Sequence, residues 1–237
     1  MLVIFDLDGT LYSGDDVFPD AINLVNSIEQ SHGVVFLSNT SSKTSAEVSD
    51  KLRKLGFNVN RNVYTSSSET VKYLVENKYD SVYVIGSKSF KKEILANGIE
   101  ITDKADTVVV GLDFNFSSEM LDTAISIILN GGTFIACNED KLFPSGGKLK
   151  PGLAMITGAI EKVVGRAPDF VVGKPNTYMI ENVMKDYNVG VKDVVIVGDS
   201  EESDILTADR IGCVGILVFD GHGHFLPVTN YFGGLNE

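Results

Sequence analysis

Short uninterrupted apolar runs alternate with stretches in which apolar residues recur every three or four positions, over most of the 237 residues. The runs 2–5, 34–38, 82–85, 107–110, 133–136, 170–172, 194–197 and 215–219 read as buried strands. Between them, 21–30, 45–55, 69–76, 119–129, 154–164 and 178–187 carry helical spacing, as in Ala21, Leu24, Val25 and Ile28. Strand followed by helix, repeated, predicts an α/β fold with a doubly wound, mostly parallel sheet. The chain shows no internal repeat and no low-complexity segment.

Four of these strands end in residues that suit one chemistry. The first runs into Asp6-Leu7-Asp8-Gly9-Thr10. In an open α/β sheet, ligands bind at the carboxyl ends of strands, and residues two apart on a strand point the same way. Asp6 and Asp8 can therefore serve one site, although two like charges so close need a cation or a shared proton. The second strand ends in Ser38-Asn39-Thr40. A hydroxyl and free N–H groups there suit a phosphate oxygen; a plain helix cap would look the same. The third ends in Gly173-Lys174-Pro175, whose ammonium can neutralise a carboxylate and a phosphate together, or can be an exposed lysine in a turn. The fourth ends in Gly198-Asp199-Ser200-Glu201-Glu202-Ser203-Asp204. Hard Mg²⁺ takes a few carboxylate oxygens, waters and substrate phosphate, a set that Asp6, Asp199 and a main-chain carbonyl can supply. Glu201 and Glu202 are expected to face solvent.

Charge narrows the partners. With 32 Asp and Glu against 20 Lys and Arg, the net charge is −12, which disfavours nucleic acid as a partner. No apolar stretch is long enough for a membrane helix and the N-terminal run is too short for a signal peptide, so a cytoplasmic protein without membrane contact is expected. Cys137 and Cys213 lack metal-site spacing and are expected to be packed thiols. His222 and His224 could hold a metal, but a polar loop is the better reading.

The order Asp6/Asp8/Thr10, Ser38, Lys174, Asp199/Asp204 resembles the haloacid dehalogenase superfamily, the aspartate-nucleophile phosphatases. The resemblance covers nearly the whole chain. It implies a Rossmann-like core and Mg²⁺ as cofactor, with Asp6, Asp8, Asp199 and Asp204 as the metal group. It implies Asp6 as nucleophile, Asp8 as general acid and base, and Lys174 as the charge-neutralising catalytic lysine. Ser38, Asn39, Lys174 and the main chain near Leu7 would hold the phosphoryl oxygens. The middle segment is similar to the cap of the NagD and 4-nitrophenylphosphatase group. The matching stretches are Val63-Tyr64-Thr65-Ser66, Phe134-Ile135-Ala136-Cys137-Asn138-Glu139-Asp140 and Lys150-Pro151-Gly152. That group has Thr where this chain has Cys137. Residues 1–79 and 169–237 are then expected to form the catalytic core and 80–168 a smaller inserted α/β cap. Asn138 and Asp140 either contact the substrate or form an Asx-rich turn. Residues 143–148 read as a loop, in which Lys148 and Lys150 are solvated. Caps of this kind pair between subunits, so the resemblance implies a homodimer.

The substrate expected is a small phosphate monoester: a sugar phosphate, a nucleotide or similar. A phosphomutase shares Asp6 and Asp8, but more often carries a helical cap between the first two motifs, which only about thirty residues separate here. A phospho-receiver module or a non-catalytic phospho-ligand binder remain as alternatives of another class.

Overall fold

The computed structural model describes residues 1–60, 62–145, 148–218 and 224–233. Its strands, in chain order, are β1 (Leu2–Phe5), the short pair β2 (Tyr12–Ser13) and β3 (Asp16–Val17), β4 (Gly33–Ser38), β5 (Val63–Thr65), β6 (Ser81–Ile85), β7 (Glu100–Ile101), β8 (Thr107–Val110), β9 (Thr133–Ala136), the pair β10 (Leu142–Ser145) and β11 (Lys148–Pro151), β12 (Phe170–Val171), β13 (Val194–Gly198) and β14 (Val214–Leu217). The helices are α1 (Ala21–Glu29), α2 (Ser45–Leu55), α3 (Ser66–Glu76), α4 (Lys88–Ala96), α5 (Ser118–Leu129), α6 (Ala154–Val164), α7 (Tyr178–Tyr187), α8 (Leu206–Ile211) and α9 (Leu226–Tyr231).

Two five-stranded sheets organise the chain, in the orders β14-β13-β1-β4-β5 and β12-β9-β8-β6-β7. Every pairing within them is parallel. The strand period of two explains why the central runs are apolar throughout. On β1, Leu2 and Ile4 enter one core cluster and Val3 and Phe5 the other. Val35 and Leu37 against Val34 and Phe36 do the same on β4, as do Val194 and Ile196 against Val195 and Val197 on β13. Both faces are thus covered, as a parallel sheet requires. The cluster holding Leu2 and Ile4 continues through Val84, Val108 and Phe134 of the second sheet. The fold is the expected doubly wound α/β core with a second, inserted α/β unit.

Three details differ from the sequence reading. The main chain stays hydrogen-bonded to β9 through Val172 and Gly173, so the strand before Lys174 belongs to the second sheet. Most of 143–148 is not loop: β10 and β11 pair antiparallel, with residues 146–147 outside the described part. Helix α4 was not anticipated, because only Phe90 and Ile94 mark its buried face. His222 and residue 219 lie outside the described residues. His224 Nε2 lies 3.0 Å from the Thr10 carbonyl oxygen. Cys137 is buried and Cys213 half-buried. Among the described residues no helix is long and apolar enough to cross a membrane.

Candidate active site

The carboxyl ends of β1, β4 and β13 in one sheet, and of β9 and β12 in the other, converge on one cavity of about 680 Å³. Asp6, Asp8, Ser38, Asn39, Asn138, Asp140, Lys174, Asp199 and Asp204 all line it. Leu7 does not: its side chain is fully buried, which leaves only its main chain to serve the site. Its carbonyl accepts from the N–H groups of Thr10 and Leu11 and so closes the turn after Asp6.

Lys174 is the hub. Its Nζ donates to Asp6 Oδ1 at 2.6 Å and to Asp204 Oδ1 at 2.5 Å, and the residue is only 2% exposed. Burial opposes its charge, but Asp204 and Asp6 more than offset this and hold the ammonium above its ordinary value. Burial pushes Asp6 well up, Lys174 counteracts, and Asp204 and Asp199 repel it further. Asp199 is raised by burial and by Asp204. The Thr10 hydroxyl lies 3.2 Å from Asp6 Oδ2 and 3.0 Å from Asp199 Oδ1, and can donate to one at a time. The second oxygen of Asp204 accepts from the Ser200 N–H.

Carboxylate oxygens of Asp6, Asp199 and Asp204 all lie within 4.8 Å of one another. Three hard oxygen donors, mutually repelling and served by a single lysine, fit Mg²⁺. Backbone geometry keeps the space open. Gly9 has φ +98°, and a Cβ there would collide with the Asp199 carboxylate; at Gly198 it would collide with Asp204. Glu201 and Glu202 are exposed, as expected.

The Asp8 carboxylate is not part of that group. Its Oδ2 accepts from Tyr12 Oη at 3.4 Å and its Oδ1 lies 3.9 Å from Lys51 Nζ. Burial raises its pKa, with Lys51 and Lys43 opposing. Burial and Asp8 also push the Tyr12 phenol up, so it stays a donor. Neither Tyr12 nor Lys51 was singled out by the sequence reading: Tyr12 stands in a polar, glycine-rich stretch after the first motif and Lys51 on a helix.

Asn39 ties the two sheets together. Its amide donates to Asp140 Oδ1 at 2.9 Å and to the Lys174 carbonyl at 3.0 Å, while its Oδ1 accepts from the Lys174 N–H at 2.8 Å. Asn138 donates to the Asn39 carbonyl, and its own Oδ1 accepts from the Asp140 N–H, which is the Asx-type turn. Burial pushes Asp140 up to about 6, partly offset by Asn39 and Lys174. Ser38 is buried, and its Oγ accepts from the Thr40 N–H at 3.1 Å. The rest of the wall is mixed, with the apolar Leu112, Phe114, Phe143 and Leu149 and the cationic Lys43, Lys51 and Lys150.

Comparison with known proteins places the chain in a family. A family model described as haloacid dehalogenase-like hydrolase matches residues 3–100, and a second HAD-hydrolase-like model matches 171–224. The 5'-nucleotidase YutF of Bacillus subtilis is 33% identical over 92% of this chain and 86% of its own length. The solved 4-nitrophenylphosphatase of Thermotoga maritima superposes with a TM-score of 0.88 at 30% identity, over 93% of this chain and 86% of that one. A glycerol phosphate phosphatase of Mycobacterium tuberculosis, solved in complex with magnesium, gives 0.83 at 27% identity, over 93% and 68%. The chain belongs to the haloacid dehalogenase-like hydrolases and is an enzyme of their NagD and 4-nitrophenylphosphatase group.

Proposed function

We propose that this enzyme hydrolyses small-molecule phosphate monoesters, with Mg²⁺, through an aspartyl-phosphate on Asp6. The observation that carries the reading is the buried Lys174 ammonium shared between Asp6 and Asp204, beside Asp199. Asp6 and Asp199, with the Asp8 main-chain carbonyl, would hold the ion. Asp204 supports them, since its oxygens already serve Lys174 and Ser200. When bound, Mg²⁺ offsets the repulsion between the phosphate and the carboxylates.

An Asp6 oxygen attacks phosphorus in line, and the bond to the leaving oxygen breaks as Asp8 gives that oxygen its proton. Water then attacks the phosphoryl group, its proton passes to Asp8, and the bond to Asp6 breaks. Burial and the Tyr12 hydroxyl are the surroundings in which Asp8 changes its protonation state. Lys174 balances the charge on Asp6 throughout, while Ser38 and the main chain of Leu7 and Asn39 hold phosphoryl oxygens. The first sheet, built mainly from 1–79 and 169–237, acts as the catalytic core, and the 80–168 unit as the cap. Asn138 and Asp140 act first as the tie between them.

Phosphate release from 4-nitrophenyl phosphate and a panel of metabolite phosphates tests this, with Mg²⁺ or chelator and with Asp6→Asn. Release is expected only with Mg²⁺ and Asp6 both present. Near-normal release by folded Asp6→Asn would remove the nucleophile assignment, and a need for an added phosphoryl acceptor would favour a mutase.

A further inference from the structure

We propose that Lys51 and Lys43 form a second anion-binding subsite, so that the preferred substrate is a monoester whose alcohol carries a further carboxylate or phosphate group. This rests on the phosphatase reading and narrows its substrate. No step of the reaction uses Lys51, which lies on α2 rather than at a strand end. Yet its side chain is only 19% exposed and lines the cavity. Its ammonium stands 3.8 Å from the centroid of the Tyr12 ring, which fixes its direction. Its one ion pair among the described residues, to Asp8, is long at 3.9 Å. Lys43, an exposed residue, lines the same cavity, and its charge disfavours that on Lys51.

Lys51 and Lys43 present positive charge to this wall of the cavity, in a chain that is acidic as a whole at −12, and such a local field attracts an anion. The acidic groups around them are accounted for. Asp8 accepts from the Tyr12 hydroxyl, and its approach to Lys51 is long, so it leaves the Lys51 ammonium without a close partner. Glu47, near Lys43, accepts from the Thr44 N–H and the Ser89 hydroxyl. Asp15, which also acts on Lys51, is exposed. The transferring phosphoryl group already has Lys174. The wall holding Lys51 and Lys43 therefore suits an anion on the leaving alcohol, on the Asp8 side of the cavity where the leaving oxygen must lie.

The test compares matched esters: 3-phosphoglycerate with glycerol 1-phosphate for a carboxylate, and fructose 1,6-bisphosphate with fructose 6-phosphate for a phosphate. The wild type is expected to prefer the more anionic member of at least one pair by about tenfold or more in kcat/KM, as a charge-assisted contact would give. Lys51→Gln removes most of that preference, chiefly through KM; Lys43→Gln reduces it, and Lys51→Arg keeps it. An equal loss on both members would place Lys51 as a support of Asp8 and overturn the subsite, as would a wild type with no preference. If no ester is turned over, the phosphatase reading fails separately. Calorimetric binding of the same pairs to Asp6→Asn then decides: an affinity gap closed by adding Lys51→Gln supports the subsite, and no gap overturns it.

Discussion

Single residues carry this site in two ways, by charge and by the absence of bulk. Gly9 shows the second. Its φ of +98° is a conformation that side chains rarely adopt, and a Cβ would occupy the place of the Asp199 carboxylate. Gly9→Ala is therefore expected to cut phosphatase activity by at least about a hundredfold, while backbone strain alone costs about 1–2 kcal/mol in a denaturant melt. Full activity in this variant would show that Asp199 is not held where the structure puts it. Asp6, Ser38, Lys174 and Asp199 were legible in the sequence because each follows an apolar run that ends at it. Tyr12 and Lys51 were not, because nothing local marks a single ring in a turn-like stretch or a lysine on a helix as belonging to a cavity. Only the folded chain brings Lys51 to Asp8. Asp8 itself was legible as an acid, but its separation from the three-carboxylate group depends on which way the turn directs it.

At the scale of elements, the alternation of strand and helix was readable because buried parallel strands are apolar on both faces. What escaped was short or sparsely marked: β5 has three residues, β7 two, and the β10–β11 pair is exposed along β11. The sheet to which β12 belongs was also hidden, since pairing partners leave no trace in a two-residue strand. That pairing matters, because it makes the second sheet the support of Lys174, with Asn39 and Asp140 as the tie. Asp140 is held up to about 6 by burial, against an ordinary 3.8. An acid with a raised folded value binds more protons folded than unfolded between those two values. Its contribution is therefore complete below the lower one and is lost as pH rises through about 4 to 6. The difference is worth up to about 3 kcal/mol. Asp140→Asn keeps an acceptor for Asn39 without the charge. In chelator, the stability of this variant relative to wild type is expected to improve as pH rises from 4 to 7. Parallel melting profiles across that range would contradict it.

The whole molecule places its chemistry where two parallel sheets meet, with strand ends from both lining one cavity. An acidic chain of −12 nonetheless presents cations at this cavity: the buried Lys174 at Asp6, the half-buried Lys51 at Asp8, and the exposed Lys43 on the same lining. That arrangement belongs to an enzyme that gathers anions locally despite its overall charge. The central claim is that phosphorus is displaced twice, first by Asp6 and then by water. The stereochemical course of hydrolysis of a monoester chiral at phosphorus, labelled with oxygen isotopes and sulfur, tests this without requiring the intermediate to accumulate. Two in-line displacements predict net retention of configuration. Net inversion would mean direct attack by water and would contradict the account.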